Sequence, residues 1–208
     1  MSTTIRTGVL AALAVAGLTA GAALTAAPAG AAPAGAAPKA APRFLTASQL
    51  PPHPTGWTAG PVSDGVPVEL EYCFGEALLA YDIRHRDFRT ELETNAQQIV
   101  VVVGDSAKAE ALARRLDREV RRCALRAGAD PEIEAEYRTY GTLPVEEGAR
   151  VHAVHTRAAW GAMDINLTSV GRDGGTVTLV RWGQMGDFSD APVKAFKKTT
   201  TTAVDKLY

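Results

Sequence analysis

Residues 106–127 carry a helical period. Ala109, Leu112, Ala113, Leu116, Val120, Cys123 and Ala127 recur at three- and four-residue spacing, which puts them on one face of a helix. Asp105 or Ser106 can cap its start, and Gly128 follows its end. The opposite face carries Arg114, Arg115, Arg118, Arg121 and Arg122. Glu110–Arg114, Arg115–Glu119 and Asp117–Arg121 can pair along it, so it reads first as a solvated face and second as an anion-binding face.

Elsewhere the pattern alternates with period two, the mark of half-buried strands. Val68, Leu70 and Tyr72 alternate with Glu69 and Glu71, which predicts a strand over residues 68–72. Residues 88–94 alternate again, with Arg89, Glu91 and Glu93 outward. Residues 99–103 form a β-branched run expected to be central and buried on both faces. The inward register shifts near residues 95–98, which predicts a bulge in one long strand. Residues 133–139 and 151–156 predict two further strands.

Residues 163–170 and 176–182 flank Gly171-Arg172-Asp173-Gly174-Gly175, a hairpin signal. With an even loop, Met163, Ile165 and Leu167 share a face with Val180 and Trp182, and this set is core. Asp164, Asn166 and Thr168 then share the other face with Leu179 and Arg181.

At the start, Thr46 and Gln49 have capping-box spacing, so a single helical turn is expected before Pro51 and Pro52. Residues 53–66, broken by Pro and Gly, predict a surface loop. At the end, Asp190 is the expected N-cap and Pro192 lies in the first turn. Val193, Phe196, Thr200, Ala203 and Leu207 form one apolar face. The Thr199–Thr202 run is poor helix material, so packing must override propensity there. The elements together predict an α+β domain: a mostly antiparallel sheet with two main helices packed on one face.

Composition narrows the classes. Lys and Arg number 22 against 23 Asp and Glu, a net charge of −1. No basic excess exists to drive nucleic-acid binding, and no acidic tract marks a disordered tail. Apolar residues make up 46% of the chain, as in an ordinary folded protein.

The N-terminal pattern is that of export. Residues 1–36 read as a signal peptide, with Arg6 ahead of an apolar stretch over residues 8–24 and small-residue cleavage sites after it. The mature start is expected between Gly30 and Ala37. No twin arginine precedes the apolar run, and no cysteine occurs before Cys73, which excludes a lipid anchor on an N-terminal cysteine. An uncleaved membrane anchor is the weaker rival, because the stretch is Ala-, Gly- and Thr-rich. Residues 37–43 are an Ala/Pro-rich spacer, and residues 44–208 are the domain.

Two cysteines in an exported chain read as one disulfide, Cys73–Cys123. Cys123 lies on the apolar helical face. Strand alternation puts Cys73 on the side of Glu69 and Glu71, so a twist or break near Gly75 is needed to turn it back.

Candidate chemistry is sparse. His152 and His155, three apart on a strand, point to opposite faces and do not share a metal. His53 and His85 have no identifiable partner. Glu69/Glu71, Glu91/Glu93 and Glu134/Glu136 are outward-facing strand pairs, and no serine sits in a nucleophile-elbow context. Trp160-Gly161-Ala162-Met163 and Trp182-Gly183-Gln184-Met185 repeat one pattern and read as core. Trp57 is the better surface candidate. No catalytic, metal or cofactor site is assigned.

The opening Phe44-Leu45-Thr46-Ala47-Ser48-Gln49-Leu50-Pro51 looks like that of actinobacterial extracellular sensor domains. So does the order that follows: Cys73 after an early strand, a Val-rich strand, and an Ala/Arg helix ending in Cys123. The domain resembles the extracellular sensor domain of mycobacterial PknH-type serine/threonine kinases and its lipoprotein and secreted relatives. Members often carry four cysteines, and this chain matches one pair. The resemblance implies a non-enzymatic α/β sandwich with a ligand groove. The expectation is a secreted, non-catalytic ligand-binding or sensing domain, its ligand an unidentified small molecule or cell-envelope component. The alternatives are a secreted hydrolase and a wall-associated or protease-inhibitor-like protein-binding module. The hydrolase requires some of Glu69, Glu91, His152 and His155 to converge in one cleft.

Overall fold

A computed structural model of the chain describes residues 41–208. The signal, its cleavage sites and the first part of the spacer lie outside the described residues.

A 3-10 turn, Ala47–Gln49, opens the fold, with Gln49 Oε1 accepting from the Thr46 N–H at 2.9 Å. Then follow β1 (Thr58–Asp64), α1 (Val68–Leu78), β2 (Ile83–Arg89), β3 (Asn95–Val102), α2 (Ser106–Ala127), β4 (Ile133–Leu143), β5 (Ala149–Ala158), β6 (Met163–Asp173), β7 (Thr176–Met185) and α3 (Val193–Asp205). The strands form one seven-stranded sheet in the order β1-β2-β3-β7-β6-β5-β4, every neighbouring pair antiparallel. After β3 the chain crosses through α2 to the far edge. It returns by three hairpins, so that β7 closes against β3.

The expected antiparallel α+β sheet and its disulfide are present, but the helices do not share one face. Ile99 and Val101 of β3, Val170 of β6 and Val177 and Leu179 of β7 pack with Leu70 and Phe74 of α1 and Leu112, Leu116 and Val120 of α2. The alternate residues face the other way. Ala96 of β3, Ile165 and Leu167 of β6 and Val180 and Trp182 of β7 pack with Phe196 and Ala203 of α3 and with Leu45 and Leu50. The reason is in the central strands. They are apolar on both sides and need cover on both.

The predicted strand over residues 68–72 is the start of α1. Leu70, Phe74, Ala77 and Leu78 are buried, and spacings of four, seven and eight are helical. Five alternating residues fit either period, and only the longer window separates them. Glu69 and Glu71 fall in the first turn, where the helix dipole favours carboxylates. The predicted loop over residues 53–66 contains β1, an edge strand with an irregular register between Ala59 and Val62. Pro61 is tolerated there because an edge leaves one side unpaired. The register shift near residues 95–98 is a hairpin, not a bulge. The Thr90 N–H donates to Thr94 O at 3.1 Å, and β3 folds back antiparallel on β2.

The C-terminal hairpin follows the expected register, with Leu167 opposite Trp182 and Thr168 opposite Arg181. Gly174 and Gly175 form its turn. A Cβ on Gly175 would stand 2.9 Å from the Gly104 backbone, so this position needs glycine. The long helix matches its expected bounds, and Asp105 caps it through the Lys108 N–H at 2.8 Å. Asp190 does not cap α3. Its Oδ2 accepts from the Asp187 N–H instead, and Pro192 takes the N-cap position. Packing does override propensity in the threonine run. Thr199 and Thr200 are buried, Thr199 Oγ1 donates to Gln49 O at 2.7 Å, and Thr200 Oγ1 donates to Phe196 O at 3.0 Å.

Cys73 and Cys123 are bonded, with Cα atoms 5.2 Å apart. The bridge joins α1 to α2 and is a helix–helix seam. The difficulty over Cys73 disappears because three residues beyond Leu70 is the same helical face. No reversal at Gly75 is needed.

Candidate functional site

A groove of about 850 Å³ lies between the outer side of α2 and the β4–β6 part of the sheet. Arg114, Arg118, Arg121 and Arg122 reach it from α2, Arg150 from β5 and Arg172 from β6. Six arginines stand against Glu110, Asp117 and Glu147, an excess of three positive charges with His152 neutral. The whole chain carries −1, so the groove concentrates positive potential that the composition conceals.

Some of this charge is spent locally. Arg114 pairs with Glu110, and Arg172 lies 3.8 Å from Glu147. Arg122 and Arg126 both pair with Glu119, at 2.7 and 3.4 Å. Burial would raise the Glu119 carboxyl, but the two arginine hydrogen bonds outweigh it and hold the pKa below its usual value. Of the three helix pairs expected from spacing, only Glu110–Arg114 forms. Arg118 and Arg121 are exposed and make no side-chain hydrogen bond or ion pair among the described residues.

Asp117 is diverted into the floor of the groove. Its Oδ1 accepts from His152 Nε2 at 3.0 Å, and Arg150 Nε lies 3.9 Å from its Oδ2. In the tautomer with its proton on Nε2, facing the carboxylate, His152 Nδ1 accepts a hydrogen bond from the Tyr137 hydroxyl at 2.8 Å. His152 is almost wholly buried. Burial, reinforced by the Asp117 charge, raises the Tyr137 pKa above its usual value. A phenol held protonated is a hydrogen-bond donor at neutral pH, not a nucleophile. The chain Tyr137–His152–Asp117 therefore fixes the floor and orients polar groups along it.

The other sequence candidates lie apart. His155 points to the opposite face from His152, as alternation requires, and its ring lies 5.5 Å from that of Phe188. Glu69 is in the first turn of α1, and Glu91 is in the exposed β2–β3 turn. Glu69, Glu91, His152 and His155 share no cleft. Glu71 is on α1 and Glu93 in the turn, while Glu134 and Glu136 lie outward on β4, with Glu136 paired to Arg138 at 2.8 Å. His53 and His85 do have partners. His53 Nδ1 lies 3.0 Å from Thr55 Oγ1, and His85 Nδ1 lies 2.7 Å from Gly65 O. Trp160 is exposed and Trp182 buried, so the repeated Trp-Gly pattern does not form one stripe. Trp57 is half-buried, its Nε1 donating to Pro51 O at 2.7 Å. Among the described residues no three His, Cys, Asp or Glu are placed to hold a metal ion. No described helix is long and apolar enough to cross a membrane.

Sequence reasoning missed Tyr137, Arg150 and Arg172 as groove residues. The arginine face of α2 was visible. Its apposition to strands β4–β6 depends on a crossover that no local pattern encodes. Comparison with known protein families and with curated proteins finds no match to this chain.

Proposed function

We propose that the chain is a secreted, non-catalytic domain that binds an anionic component of the cell envelope in the arginine-lined groove. The observation that carries this reading is the pair Arg118 and Arg121, two guanidinium groups that form no ion pair among the described residues, at a groove whose lining carries excess positive charge. Arginine offers a planar fork to phosphate or carboxylate and is weakly hydrated, so little is lost on contact. The groove's arginines come from both α2 and the facing strands, which suits a ligand with several anionic groups. The export pattern and the resemblance to extracellular sensor domains favour the same reading.

Thermal melting with inorganic polyphosphate and with polygalacturonate tests it, since a ligand of the native state alone raises the melting temperature. At least one polymer is expected to raise it at low salt, and about 0.3 M salt is expected to abolish most of the rise by screening. The double substitution Arg118→Ser, Arg121→Ser is expected to remove it. A rise that persists unchanged in the double variant would refute the site. Turnover of peptide or cell-wall substrates would refute the non-catalytic part.

A further inference from the structure

Two further cavities on the α1–α2 side of the sheet share Arg181 among their lining residues. Arg181 of β7 donates from Nη1 to Asn95 Oδ1 at 2.7 Å and to Gln97 Oε1 at 3.0 Å, and from Nη2 to Asn166 Oδ1 at 2.5 Å. All three acceptors are neutral amides. Among the described residues no carboxylate forms an ion pair with Arg181, and its Nε–H has no acceptor. A guanidinium has five N–H donors. Those left over belong to Nε and Nη2, the edge that takes a carboxylate in two parallel bonds.

The surroundings are built to hold this side chain. A Cβ on Gly183 would stand 2.4 Å from Asn166 Oδ1 and 3.0 Å from Arg181 Nη2, so the bare glycine admits the pair. On one side of Arg181 lies a cavity of about 180 Å³ walled by Leu70, Phe74, Val120 and the Cys73–Cys123 bridge. On the other lies an opening of about 470 Å³ bordered by Glu93, Asn95 and Asp164. Arg181, Asn166 and Thr156 line both. Burial disfavours the Arg181 charge, and the more distant Glu69 and Asp164 offset this in part.

We infer that Arg181 anchors a second ligand site, which takes a small monoanion with a carboxylate head and a short apolar body. The carboxylate supplies the charged acceptor that the guanidinium lacks. The apolar body enters the cavity beside the disulfide. At about 30 Å³ for each water-sized unit, that cavity holds roughly six, which sets the length of the body. Glu69, Glu93 and Asp164 around the rim act against any anion and twice as strongly against a dianion, so a monoanion held by direct contact with the guanidinium is favoured over a dianion. The site thus differs in ligand class from the polyanion groove and does not depend on it.

Titration with hexanoate, followed by the amide resonances of Asn166 and Thr168, tests this. Hexanamide keeps the shape and loses the charge, and inorganic phosphate keeps charge without the apolar body. Hexanoate is expected to saturate, with both comparators weaker by about ten-fold or more. Arg181→Lys keeps the charge but loses the fork, and is expected to weaken hexanoate by a similar factor while the remaining resonances stay in place. Gly183→Ala, whose Cβ would crowd both Asn166 Oδ1 and the Arg181 guanidinium while keeping its charge, is expected to weaken it as well. Protein saturated with polyphosphate is expected to take up hexanoate unchanged. Equal binding of hexanamide, wild-type affinity in either variant, competition by polyphosphate, or no saturable shift with hexanoate would each overturn the inference.

Discussion

The two faces of the sheet are made by the same strands and do different work. On the α3 face, several polar side chains are held by the chain itself, although the buried His155 Nε2 has no hydrogen-bond partner among the described residues and a cavity of about 770 Å³ lies between α3 and residues 48–52. Gln98 Oε1 accepts from the Leu45 N–H at 2.7 Å and its Nε2 donates to Thr178 Oγ1 at 3.2 Å, while Thr199 holds the Gln49 carbonyl. Around them Phe196, Leu167, Val180 and Trp182 form an apolar core. On the α1–α2 face, polar groups reach cavities. His152 and Tyr137 floor a groove, and Arg181 stands between two openings. That face also carries the covalent staple. A face that keeps cavities open forgoes packing, and a crosslink between its two helices offsets the loss. The difference teaches that alternate residues of one strand can build an apolar core on one side and line open cavities on the other.

The largest test removes the α3 core. Phe196 is fully buried, so Phe196→Ala should destabilise the domain by about 3–5 kcal/mol, read from the urea midpoint. Polyphosphate affinity, measured well below the melting temperature, should stay the same. A large loss of affinity in the folded variant would show that the faces are coupled.

The staple comes next. Cys73 and Cys123 are 50 residues apart, and closing such a loop stabilises by at most about 4 kcal/mol through the unfolded chain. Cys73→Ser and Cys123→Ser should each lower stability by about 2–4 kcal/mol, and the double variant by little more. Two reactive thiols in the unfolded, unreduced wild type would contradict the bridge itself.

A smaller effect is expected at the groove floor. Asp117→Ala leaves the buried His152 Nε2–H without its acceptor, at a cost of about 1–3 kcal/mol. In a double-mutant cycle with His152→Leu, most of that loss should vanish, because the orphaned donor is gone. Additive losses would mean that the two residues act independently.

What could be read from the sequence follows window length. The 22 residues of α2 hold the helical period over six turns, and its bounds are those expected. The C-terminal hairpin was readable because two glycines fix an even turn, and an even turn fixes which residues share a face. Residues 68–72 were misread because five alternating positions satisfy strand and helix alike. The side of the sheet that each helix covers was not readable either. The β-branched run near Ile99 showed that β3 is buried on both faces, but not which helix lies on which. The groove failed for the same reason. Arg118 was visible and Tyr137 was visible, yet only the path of the chain after α2 brings them together.

The smallest prediction concerns Glu119, whose carboxyl joins Arg122 and Arg126 on the rim of the α1–α2 face. Its pKa in the folded chain lies below the unfolded value of 4.5. The folded state therefore binds the proton less readily than the unfolded state. The stabilisation is fully present above the unfolded pKa and is lost as pH falls through the folded one. Both arginines are solvent-exposed, so screening limits the effect to about 0.5–1 kcal/mol. Glu119→Gln should lower stability by that amount at pH 7 and by almost nothing at pH 2. Urea midpoints of wild type and variant should thus converge as the solution is acidified. They should also approach each other in about 1 M salt at pH 7, where the Debye length is about 3 Å. A gap that stays constant from pH 7 to pH 2 would show that Glu119 acts through packing and not through its charge.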